Sequence, residues 1–98
     1  WFWLALTVDQ LGRPADSVSY YEHVLALDPQ SAEAHGNLGS VFLKLGRYEA
    51  AIAHHRQSLE LIPDNAKAHY NLAIALYEHN QVDEAITYYQ RAIELMPE

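Results

Sequence analysis

The sequence predicts an all-α solenoid of three stacked helix–turn–helix repeats, and three observations predict it. First, residues 32–63 moved forward by 34 positions fall on 66–97. Ala32, Ala34, His35, Asn37 and Leu38 then meet Ala66, Ala68, His69, Asn71 and Leu72, and Ala51, Ile52, Glu60, Leu61 and Pro63 meet Ala85, Ile86, Glu94, Leu95 and Pro97. Second, the same step backwards lays Gly46 on Gly12 and Pro63 on Pro29, so the breakers recur with the repeat. Third, the stretches between breakers carry apolar residues at helical spacing, and none alternates as a strand does. A period of this length is the mark of stacked units, each burying its face against its neighbours. One array is expected, with units 1–31, 32–65 and 66–98.

The first helix, 1–11, carries Trp1, Leu4, Ala5, Val8 and Leu11 on one face. Gly12 ends it, because glycine takes the left-handed cap without a Cβ clash. Pro14 suits the first turn of the second helix, 14–27, where its missing N–H costs nothing. Ser17, Val18, Tyr21, Val24, Leu25 and Leu27 form that helix's buried side, and Asp28-Pro29 stops it. Ser31 is the expected N-cap of the third helix, 32–45, with Leu38, Gly39, Phe42 and Leu45 inward and Gly46 closing it. The fourth, 48–61, has Ala51, Ile52, His55 and Leu59 on its apolar side, with Ile62 just beyond. Asp64 and Asn65 offer the next cap. The fifth, 66–79, turns Leu72, Ala73 and Leu76 inward, and Asn80 takes the place of the closing glycine. The sixth, 82–95, turns Ala85, Ile86, Tyr89, Ala92 and Ile93 inward.

Small residues recur where helices must approach. Gly39 and Ala73 share one repeat position; Ala51, Ala85 and Ser17 share another. Tyr21, Tyr89 and Phe42 are the bulky complements that let ridges enter grooves.

Composition excludes several function classes. The chain has 98 residues, no cysteine and a net charge of −7. Without cysteine there is neither a disulfide framework nor a thiolate metal site. The acidic balance argues against nucleic acid as partner, since phosphate backbones need clustered Lys and Arg. No apolar run approaches a membrane span and no signal peptide is visible, so no membrane partner and a cytoplasmic location are expected.

At these residues the chain resembles the tetratricopeptide repeat (TPR) family, whose pattern is W-x2-L-G-x2-Y, then A-x3-F, then P. The first half reads Trp1-x2-Leu4-Ala5-x2-Val8, His35-x2-Leu38-Gly39-x2-Phe42 and His69-x2-Leu72-Ala73-x2-Leu76. The second half reads Ser17-x3-Tyr21-x7-Pro29, Ala51-x3-His55-x7-Pro63 and Ala85-x3-Tyr89-x7-Pro97. His35, His69, His55 and Ser17 depart from the pattern. The resemblance covers the whole chain. It implies a right-handed superhelix whose first helices line a concave groove that holds peptides or partner proteins. The function expected is a non-catalytic protein–protein interaction scaffold.

The groove positions the resemblance selects are Phe2, Trp3, Leu6 and Asp9; then Glu33, Gly36, Asn37, Ser40 and Lys44; then Lys67, Tyr70, Asn71, Ile74, Tyr77 and Glu78. Chaperone-binding TPR domains grip a terminal carboxylate with Lys, Asn, Asn, Lys and Arg at five such positions. Here those positions hold Phe2, Leu6, Asn37, Lys67 and Asn71, so most of the charge-assisted bonds would be lost. The closer likeness is to the TPR region of O-linked N-acetylglucosamine transferase, which repeats Asn in an Asn-Leu-Gly/Ala context. Asn37-Leu38-Gly39 and Asn71-Leu72-Ala73 match it, and Trp3 breaks it. A primary amide has both a donor and an acceptor and can pair with an extended peptide's backbone. The peptide-binding residues expected are therefore Asn37 and Asn71, with Phe2, Leu6, Ser40, Lys44, Lys67, Tyr70, Ile74 and Tyr77 beside them.

Six histidines, His23, His35, His54, His55, His69 and His79, do not have the spacing of a structural zinc site, and His35 and His69 read as substitutes for the family's bulky residue. No nucleophile–base pair, phosphate loop or carboxylate pair stands out, so neither enzyme chemistry nor a cofactor is expected. Trp1, Phe2 and Trp3 open the chain mid-pattern and it stops just after Pro97, so a piece of a longer array is expected, with the apolar side of 82–95 partly exposed. The competing expectation is a structural module that self-associates end to end through its terminal helices.

Overall fold

A computed structural model describes residues 2–96; Trp1 and Pro97, two of the repeat markers, lie outside the described residues. The six helices are α1 (Phe2–Gln10), α2 (Pro14–Leu27), α3 (Ala32–Lys44), α4 (Tyr48–Leu61), α5 (Ala66–Glu78) and α6 (Val82–Leu95), and no strand occurs among the described residues. Leu11, Leu45 and His79 fall just past the helix ends rather than inside them.

The ends follow from local chemistry. Gly12, Gly46 and Asn80 have φ of 82°, 75° and 63°. At each, the next N–H reaches back over the turn: Arg13 to the Val8 carbonyl (3.2 Å), Arg47 to Phe42 (2.9 Å), Gln81 to Leu76 (2.8 Å). This is the Schellman arrangement, and it needs a left-handed residue just after the helix. Asn80 does so with a side chain, at a modest steric cost. At the repeat junctions, Ser31 Oγ accepts from the Ala34 N–H (3.1 Å) and Asn65 Oδ1 from the Ala68 N–H (3.2 Å). Each cap satisfies an orphan donor, stabilising its helix by about 1 kcal/mol.

Helices pair within units (α1 with α2, α3 with α4, α5 with α6), and units join through α2–α3 and α4–α5. The first helices also touch each other, α1 with α3 and α3 with α5, whereas no such contact joins α2 with α4 or α4 with α6. The stack therefore curves with α1, α3 and α5 on the inside. The core is one cluster in which Tyr21, Leu38, Val41, Leu72 and Leu76 are fully buried. Burying each large aliphatic side chain contributes about 1.5–3 kcal/mol. Small residues sit at the tightest seams: Ala5, Ala51, Ala73 and Ala85 are buried, and Ser17 turns its hydroxyl onto the Pro14 carbonyl (2.7 Å). A Cβ on Gly39 would stand 2.9 Å from the His55 ring.

Several residues expected inside are not. Leu4, Leu11 and Leu27 are exposed, as are Ile62, Ile86 and Ile93. For Leu4, Leu11, Ile86 and Ile93 the physical reason is a missing neighbour, whereas Leu27 and Ile62 lie at the C-terminal ends of α2 and α4. Ile52 is 7% exposed in the second unit, where α5 follows α4; Ile86, its equivalent, is 48% exposed because no described helix follows α6. Leu4 and Leu11 lie on or just past α1, which no described helix precedes, and Leu27 lies in the last turn of α2.

Candidate functional site

Between α3 and α5, on the inner side, lies a cleft of about 280 Å3. It is lined by Asn37, Ser40, Lys67 and Asn71 together with Glu33, Gly36, His55 and Ser58. The repeat positions Asn37 and Asn71 thus open onto one hollow. Both are half-buried, and neither side-chain amide makes a hydrogen bond among the described residues. Lys67, in the first turn of α5, supplies the cation and Glu33, in the first turn of α3, the anion.

The other expected residues lie away from this cleft. Phe2 turns edge-on to Tyr21 (5.9 Å) and packs on the rim of the core. Leu6 and Ile74 are half-buried, and Lys44 is exposed in the last turn of α3. Tyr70 and Tyr77 are exposed on α5, Tyr70 meeting Tyr89 edge-on at 5.6 Å. Burial raises the Tyr89 pKa, with Tyr70, Tyr77 and Glu78 adding to it. Asp9's side chain is outside the described residues.

A larger hollow, about 480 Å3, is lined by Val8, Leu11, Arg13, Asp16 and Tyr20. Its charges are already matched, Arg13 to Asp16 at 2.6 Å, so the smaller cleft with free amides is the better candidate.

Two cleft residues lie outside the set expected to serve there. Ser58 Oγ donates to the Ala32 carbonyl (3.0 Å), tying α4 to α3 beneath the cleft. His55 is fully buried, and neither ring nitrogen has a hydrogen-bond partner among the described residues. Burial, with the charge of His54 adding to it, pushes its pKa down to about 4. The signal for both is in the spacing, since His55 and Ser58 lie one helical turn apart on one face.

Two other histidines, His35 and His69, form latches between units. His35 Nε2 lies 3.2 Å from the Pro29 carbonyl, and His69 Nε2 lies 2.8 Å from the Pro63 carbonyl. His35 Nδ1 also meets His54 Nδ1 at 3.1 Å. No group of three or more metal-ligating side chains occurs among the described residues. No described helix is long and apolar enough to cross a membrane.

Two family models, both described as tetratricopeptide repeat, match residues 30–98 and 1–31. No curated protein matches. Among solved structures, a mutant of MamA superposes with a TM-score of 0.92 at 26% identity, over 97% of this chain and 69% of that one. A MamA RS-1 ArsTM double mutant gives 0.93 at 27%, over 98% and 54%. The second TPR of Spaghetti (RPAP3), bound to the HSP90 peptide SRMEEVD, gives 0.91 at 21%, over 94% and 85%. This chain spans little more than half of several MamA chains it resembles.

Proposed function

Since the chain belongs to the tetratricopeptide repeat family, we propose that it is a protein-interaction module that seats an extended partner segment in the concave groove, with Asn37 and Asn71 pairing with the segment's backbone. The observation that carries this reading is the pair of equivalent amides opening onto one cleft, both without a hydrogen-bond partner among the described residues. Their donors and acceptors suit a peptide backbone whatever its side chains. Lys67 favours an acidic residue nearby. The RPAP3 domain was solved with an HSP90 peptide. A chain terminus is a poor occupant here, because Phe2 and Leu6 stand at two of the polar positions that would grip its carboxylate.

The test uses peptides selected on this protein from a phage-displayed random library, with affinities measured by fluorescence anisotropy. Changing Asn37→Ala and Asn71→Ala together is expected to weaken them roughly ten- to a hundredfold, with helical content and melting temperature unchanged. Equal binding by the double variant, or loss of folding, would remove the ladder of amides.

A second reading is favoured by the exposed end face. Ile86 and Ile93 lie open on α6 where Ile52 is covered in the unit before, and Leu4 and Leu11 lie open at α1. A second copy could stack α1 onto α6 as α5 stacks onto α4. Sedimentation velocity across a concentration series is then expected to show growing species that Ile86→Glu with Ile93→Glu reduces to monomer. A monomer at every concentration would dispose of this reading.

A further inference from the structure

At one pair of repeat positions the three units hold Trp1 and Tyr20, His35 and His54, and His69 and Tyr88. Only the second unit has histidine at both. Its two rings meet across the seam between α3 and α4, Nδ1 to Nδ1 at 3.1 Å, with centroids 5.4 Å apart and 28° between planes. The centroids stand farther apart than the nitrogens, so each ring turns its Nδ1 edge toward the other. The contact is part-buried, and both residues are half-buried rather than enclosed.

That separation is the span of two imidazole nitrogens on one metal ion. With metal–nitrogen bonds of about 2.0–2.1 Å, two such ligands stand roughly 2.9 Å apart at a right angle and roughly 3.3 Å apart at the tetrahedral angle. Both rings are held from behind. A carbonyl only accepts, so His35 Nε2–H donates to the Pro29 oxygen at 3.2 Å, and the lone pair of the neutral ring lies on Nδ1, facing the gap. A metal-ligating histidine commonly gives its other N–H to just such a carbonyl. The His54 ring lies face-on to the buried Phe42 ring, with centroids 5.6 Å apart and 22° between planes. Without an ion, His54 Nδ1–H fills the gap and donates to His35. His54 Nε2 makes no hydrogen bond among the described residues, so water can carry the proton from Nδ1 to Nε2. A second lone pair then faces the gap, and the ring stays neutral.

We propose that His35 and His54 chelate a divalent transition-metal ion of the zinc, nickel and copper class through their two Nδ1 atoms, with water completing the coordination shell. Imidazole suits these ions, whereas magnesium and calcium take oxygen ligands. Two protein ligands fall short of the four of a structural zinc site, so the ion exchanges with solvent and the fold does not depend on it. The site lies on the seam of the second unit and uses neither groove amide.

The test is titration of the protein with zinc chloride at pH 7.5, where an ordinary histidine is neutral, read by calorimetry and by NMR of the histidine ring nitrogens. One ion per chain is expected, with saturable shifts at Nδ1 of His35 and His54. His54 is expected to change from the Nδ1–H to the Nε2–H tautomer as the site fills, a signature that a bystander histidine does not give. Magnesium chloride is expected to move neither ring. His54→Tyr copies the residue of the first and third units, Tyr20 and Tyr88, and is expected to weaken zinc binding at least about tenfold with the fold intact. Should that variant not fold, His35→Trp, which copies Trp1, takes its place with the same expected loss. The proposal is overturned by any of four results: no saturable zinc binding, undiminished binding by the folded variant, shifts confined to the exposed His23 or to His79, or a His54 that keeps its Nδ1 proton at saturation.

Discussion

Lowering the pH from 7.5 to 4.5 is expected to cost the fold about 2–3 kcal/mol, and His55→Phe is expected to abolish most of that loss. His55 is fully buried with neither nitrogen paired among the described residues, so the folded state resists a proton there. Its pKa is near the ordinary 6.5 in the unfolded chain and falls to about 4 in the fold. Between those values the unfolded chain binds a proton that the folded chain does not, so stability falls as pH falls through that window. Burial is the larger cause and the neighbouring His54 the smaller. His54 itself is lowered by burial and then by His35, so some pH dependence should survive the substitution. Phenylalanine fits because the equivalent residues, Tyr21 and Tyr89, are aromatic, and the repeat position held by Gly39 opposite His55 is the larger alanine, Ala5 and Ala73, in their units. Urea unfolding at four pH values in both proteins decides the matter. Parallel pH profiles would mean that another group controls acid stability.

The sequence carried the frame of the fold further than it carried the chemistry inside it. The ranges 14–27, 48–61 and 82–95 hold to the residue because Pro14, Gly46, Asn80 and the following turns act locally. The covered faces were less legible: Ile52 and Ile86 share a repeat position and differ in exposure only through what packs beside them. The amides at 37 and 71 could be placed on one side of the stack by periodicity alone. That they open onto one cleft with no internal partner depends on how closely α3 and α5 approach. The histidines were least legible. His35 and His69 read as bulky substitutes, yet each also bonds a proline carbonyl six residues upstream, which requires the chain to double back through the capped turn at Ser31 or Asn65.

The seam between α3 and α4 yields the sharpest contrast between neighbouring positions. Gly39→Leu is expected to lower the melting temperature by more than about 10 °C, whereas Gly36→Ala, one turn earlier, is expected to raise it by a few degrees. Both glycines sit in regular helix, where replacing glycine relieves roughly 0.5–1 kcal/mol of backbone entropy. Space decides the difference. A Cβ at Gly36 would lie 3.5 Å from Ser58 Oγ, an ordinary contact, so the propensity gain stands. At Gly39 the Cβ alone would lie 2.9 Å from two atoms of a ring buried on all sides, and leucine adds three more carbons. Overpacking of that kind costs about 1–3 kcal/mol or more and exceeds the gain. Removing the ring should restore part of the loss, so Gly39→Leu with His55→Ala is expected to melt above Gly39→Leu alone, a coupling that only touching residues show. If the two glycine variants melt together, or the second substitution makes matters worse by its full separate cost, the close approach of α3 to His55 is not what holds this seam.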